Sequence, residues 1–142
     1  MKSLLVLSVS AAFFAATALP AQVAGVHTVY ILPMAGGLDQ YLAEELTRGH
    51  ILQVVADPKT ADAVLTDRLG EAFEKKLAKI HPRDEDEDDD AEVHPGFRSN
   101  ASKGTIFLVD LKSRNVVWSD YEKPTRSLTR DAARIVKKLQ GK

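Results

Sequence analysis

Seven consecutive acidic residues, Asp84 to Asp90, divide this chain, and Glu92 follows close behind. A run of like charges repels itself, and ionised carboxylates without partners do not enter a core. From His81 to Gly104 few side chains suit packing. Residues 82–104 therefore read as a disordered acidic loop, a solvated spacer between two folding blocks. Whatever folds is built from the segments on either side and closes across this one.

The block before the run begins with Val26 to Leu32, a β-branched and aromatic stretch that predicts a strand ended by Pro33. Gly36-Gly37 make a turn. Leu38, Tyr41, Leu42 and Leu46 share one face at helical spacing, so a helix is expected over Leu38 to Arg48, with Gly49 in the position after its last turn. Ile51 to Val55 predicts a second strand and Ala63 to Thr66 a third. Leu69, Phe73, Leu77 and Ile80 mark a second helix, closed by Pro82. After the acidic run, Thr105 to Val109 is a continuous apolar run, as in a strand buried on both faces. A turn at Lys112 to Asn115 leads to its hairpin partner, Val116 to Tyr121, and Asn115 is the residue expected to take positive φ. Ser127 to Leu139 predicts the last helix. The order β-α-β-β-α-β-β-α implies an α+β (or α/β) fold, a mixed sheet of about five strands with helices packed on it.

The amino terminus reads differently. Lys2 precedes an uncharged stretch from Leu4 to Leu19, and small residues cluster at Ala16, Ala18 and Ala21. A basic start, a short apolar run and small residues at the end have the layout of a secretory signal peptide. The expectation is a leader over residues 1–21, with cleavage after Ala18 or Ala21, and a single domain over residues 22–142. That places the mature chain in the periplasm or secreted medium, with no transmembrane segment of its own. The chain has no cysteine. It therefore carries no lipoprotein anchor and builds no disulfide, although an oxidising compartment would allow one.

The formal net charge of −1 conceals a separation. Eight of the 20 acidic residues lie between Asp84 and Glu92, so the rest of the mature chain is basic. The last helix region concentrates that excess. Arg126, Arg130, Arg134 and Lys138 repeat every four residues, with Lys137 beside them, opposite an apolar face of Leu128, Ala132, Ile135, Val136 and Leu139. Two readings are open. The basic face is a solvated exterior, or it docks an anionic partner: envelope lipid, an acidic protein, or the chain's own loop. Nucleic acid is not expected, because no stacking aromatics accompany the arginines.

Candidate chemistry elsewhere is sparse. Asp84, Asp86 and Asp88 have the alternate spacing of an EF-hand start, but Asp89 and Pro95 stand where that loop needs glycine and a bidentate glutamate. His81 and His94 flank the run, each followed by proline, and with its carboxylates could hold a transition metal. Gly36-Gly37 lies between a strand and a helix, a place where phosphate binds, yet it forms neither G-x-G-x-x-G nor a P-loop. His27 reads as a strand-end residue and His50 as a loop residue. Glu45 and Lys76 fall inside the apolar stripes of their helices, where long side chains reach outward; a buried Glu45–Lys76 pair is the alternative. No catalytic set and no cofactor pattern is read.

Three passages together have a familiar sequence: VYILPM, then ILQVVADPKTADAVLTDRL, then IFLVDLKSRNVVWS. They cover Val29 to Ser119 apart from the acidic insertion. In them the chain resembles accessory α/β domains of bacterial envelope proteins of the TolB amino-terminal, curli-secretion CsgG and LpoB type. The resemblance implies a periplasmic domain that binds another envelope protein and is not an enzyme. Unlike CsgG and LpoB, this chain has no lipid-bearing cysteine, and it has no segment that reads as a pore or a propeller. No functional residue transfers position by position. The functional expectation is an exported, non-enzymatic interaction domain. The alternative is a cation-responsive protein that binds Ca²⁺ or a transition metal through the acidic loop and its histidines.

Overall fold

The structure, a computed structural model, describes residue 23 and residues 25–82 and 104–141. The expected leader at 1–21 lies outside the described residues, and so does the acidic loop except for its ends at Pro82 and Gly104. Eight elements follow in the expected order. They are β1 (Thr28–Ile31), α1 (Leu38–Gly49), β2 (Gln53–Val54), β3 (Ala63–Thr66), α2 (Glu71–Ile80), β4 (Thr105–Asp110), β5 (Val116–Tyr121) and α3 (Leu128–Leu139). The sheet is mixed and runs β2-β1-β3-β4-β5. β1 is parallel to both β2 and β3, and the last two pairings are antiparallel. The α+β class read from the sequence is the one observed.

Helices cover both faces. On one, Leu42 and Leu46 of α1 and Ala132, Ile135, Val136 and Leu139 of α3 pack with Val29, Leu65, Ile106 and Leu108. Val23 and Val26 belong to the same cluster, so among the described residues the core reaches to just past either expected cleavage site. On the other face Phe73 and Leu77 of α2 pack with Leu32, Val64 and Val109. Alternate residues of β4 thus serve opposite layers, which is why Thr105 to Val109 lacks a polar face. A 3-10 turn at Pro58–Thr60 carries the chain past β1, from β2 on one side to β3 on the other.

Three local expectations change. Gly49 is still helical, and His50 takes the left-handed conformation with φ 49°. A Cβ on Gly49 would lie 2.8 Å from the Ile51 side chain, so glycine there lets Ile51 fold back on the helix end. The strand expected over Ile51 to Val55 shrinks to Gln53–Val54, because Ile51 donates its N–H to Leu46 O while Leu52 turns into the core. In the β4–β5 turn the positive φ belongs to Arg114, at 61°, not to Asn115. That backbone lets Arg114 Nη2 donate to the carbonyl of His81 at 2.7 Å, beyond the end of α2.

Candidate interaction surface

Among the described residues β5 is the last strand of the sheet, and no strand pairs with its outer side. Glu122 N–H donates to Gly104 O at 2.9 Å, which fixes the ladder's phase. In an antiparallel pair, residues whose backbone faces the partner alternate with residues whose backbone faces away. Trp118 and Asp120 therefore bond toward β4, while Ser119 and Tyr121 aim their N–H and C=O groups at the open edge; a register shift opposite Leu108 and Val109 breaks the alternation at Val117. Val116 and Tyr121 are 45% and 54% exposed, unusual for side chains of their size here.

α3 lies beside this edge. Ser127 caps its start, accepting from Arg130 N–H at 3.3 Å. Asp131, only 3% exposed, accepts from Thr125 N–H at 2.8 Å and Thr125 Oγ1 at 2.7 Å, pinning the β5–α3 connection to the helix. The sequence reading missed Asp131, which looks like an ordinary first-turn acid; the closely following T-x-S-x-x-x-D pattern was the available signal.

The five expected basic residues divide into two groups. Arg134 pairs with Glu122 at 3.2 Å, and Lys138 pairs with Asp120 at 2.8 Å and Glu122 at 2.9 Å. Lys138 Nζ also donates to Tyr121 O at 3.1 Å, which occupies one outward carbonyl of the β5 edge. The hydrogen bond from Lys138, reinforced by Arg134, holds the Glu122 carboxyl below the ordinary glutamate value, against a smaller opposing effect of burial. Contact with Asp120 first, then Glu122, raises the Lys138 ammonium. These pairs persist from above the folded pKa of Glu122 to below that of Lys138, and salt screens them because the side chains are partly exposed. Arg126, Arg130 and Lys137 are exposed and have no acidic partner among the described residues. The basic face is thus partly neutralised at home, and three of its charges stay without an acidic partner among the described residues. Asp120 of β5 and Glu122 just past its end, the residues that do the neutralising, gave no sign of it in the sequence.

Of the metal candidates, only His81 lies among the described residues. Asp84, Asp86, Asp88 and His94 lie outside them. His81 follows α2, its Nδ1 is buried without a hydrogen-bond partner, and its carbonyl accepts from Arg114. No group of three or more His, Asp or Glu residues with metal-binding geometry occurs among the described residues. His27 and His50 are exposed at a strand entrance and a helix end. The Glu45–Lys76 pair does not form: α1 and α2 lie on opposite faces of the sheet, and Glu45 instead accepts from Arg48 Nη1 at 2.9 Å. Among the described residues no helix is long and apolar enough to cross a membrane. No family model, no curated protein and no solved structure matches this chain.

Proposed function

We propose that this is an exported, non-enzymatic interaction domain of the cell envelope, which binds a partner protein by adding one of its strands to β5. The supporting observation is the outer edge of the six-residue β5, unpaired with any strand among the described residues, beside Arg126, Arg130 and Lys137, which have no acidic partner among those residues. Strand addition draws affinity from main-chain hydrogen bonds and specificity from flanking side chains. An unprotected edge of this length otherwise invites aggregation, so a dedicated partner is its natural use. The flanking charges favour an acidic partner strand and speed the encounter. Export rests on the leader pattern at residues 1–21, and the buried Val23 is compatible with either expected cut.

The test places a photo-cross-linking residue at Ser119, on the edge, and another at Lys75, on the far face of α2. Cross-linking is carried out in intact cells. The expected result is one reproducible partner from Ser119 and none from Lys75, lost when Tyr121→Pro removes an outward N–H. Because that N–H makes no bond to β4, the variant keeps the native ladder. A protein whose melting temperature responds to Zn²⁺ or Ca²⁺, and whose edge captures no partner, is instead the cation-responsive alternative. Cytosolic fractionation with Met1 intact overturns the export half of the reading.

A further inference from the structure

β1 and β3 are adjacent and parallel, yet the chain leaves them toward opposite faces, into α1 on one side and α2 on the other. Parallel strands that part in this way leave a crevice beyond their carboxyl ends, the usual ligand position in open α/β sheets. Here the crevice has a volume of 310 Å³, within the range of small-molecule sites. Its lining is two-sided in character. Leu32, Met34 and Phe73 are buried and supply apolar wall, while Arg68 and Lys76 stand exposed at the rim.

The rim cations are largely unspent. Among the described residues Arg68 meets an acid only through Nε, 3.5 Å from Asp67, and Lys76 has no acidic partner. Asp67 is itself engaged, accepting from Ala35 N–H at 3.0 Å, a bond that ties the loop after β1 to the loop after β3. The first loop is fixed a second time where Asp39 accepts from Met34 N–H at 3.0 Å. The walls are therefore held in place without a ligand. Lys76 interrupts the apolar stripe of α2 at this crevice, and its position there accounts for an otherwise misplaced charge.

We propose that this crevice binds a small organic anion with an apolar body, its charged head against Arg68 and Lys76 and its body against Leu32, Met34 and Phe73. An anion at two partly exposed cations gains hydrogen bonds as well as charge attraction, and the wall rewards each methylene removed from water. The site is separate from the β5 edge, so it stands or falls independently of the partner-binding reading.

The probe is decanoate, titrated into ¹⁵N-labelled protein below its micellar concentration, with decanol as the uncharged analogue and inorganic phosphate as the bodiless anion. Amide shifts are expected for residues 32–39 and 66–73, with decanoate binding at least tenfold tighter than either comparison compound. Arg68→Gln and Lys76→Gln each weaken binding several-fold, Ala72→Trp fills the crevice and abolishes it, and Lys75→Gln, one residue away on the solvent side, changes nothing. All four positions are exposed, so the variants keep the fold, as checked by circular dichroism. Equal affinity for decanol, equal affinity for phosphate, shifts centred on β5 and α3, or indifference to both glutamine substitutions overturns the proposal.

Discussion

Gly104 opens β4 with φ +107°, and a Cβ there would sit 2.2 Å from the Glu122 carbonyl oxygen. Gly104→Ala is expected to cost about 2 kcal/mol or more in urea unfolding. Gly25→Ala, where no atom of the described residues lies within 4 Å, should stay within about 0.5 kcal/mol. Asp62 carries a different kind of constraint. Its Oδ2 accepts from the N–H groups of Thr28 and His27 at 2.9 Å each, joining the start of β1 to the start of β3. Those bonds, Thr28 first, hold its carboxyl below the ordinary aspartate value. A folded-state pKa below the unfolded one stabilises above the unfolded pKa, roughly pH 4, and the gain is lost as pH falls through the folded value. Asp62→Asn is expected to lower stability at neutral pH by about 1 kcal/mol and to flatten the acid-side loss, read from urea midpoints at neutral and acidic pH. Neither role was legible beforehand. Asp62 lies 34 residues from Thr28, and a sequence pattern does not report which distant backbone a carboxylate will meet.

Among the elements, α3 was the most legible, because four of its five expected apolar residues are buried and the fifth, Leu128, is partly so. An amphipathic period of that regularity fixes both the helix and the face it turns inward. Ile135→Ala should therefore cost about 2–5 kcal/mol by opening a cavity, whereas Arg130→Ala on the same helix should change stability by less than about 0.5 kcal/mol; thermal unfolding of the pair separates the two. β2 was the least legible, since the apolar residues Ile51 and Leu52 serve the turn and the core and not the ladder. Composition identified them as apolar, but only the packing of α1 determines whether they extend the strand. The candidate surface was half legible for a related reason. Helical period located the five cations, but their neutralisation by Asp120 and Glu122 depends on how α3 lies beside β5.

At the scale of the molecule, the sequence order of elements carried the fold class, while the strand order and the opposite placement of α1 and α2 came only with the three-dimensional arrangement. The charge separation also belongs to this scale. Deleting residues 84–92 removes eight negative charges from a chain whose formal net charge is −1. The melting temperature is expected to hold, since ionised carboxylates do not enter an apolar core without partners. Binding to vesicles of anionic lipid is expected to rise and to fall again with added salt. Unchanged binding on deletion would show that the acidic run does not mask the basic face. The two borders of the sheet are unequal as well: β2 offers two residues and β5 six. A sheet with one receptive margin accepts a single guest. If two copies met there, each would consume the longer margin of the other, and the pair would close on itself, leaving only the two-residue margin of β2 among the described strands.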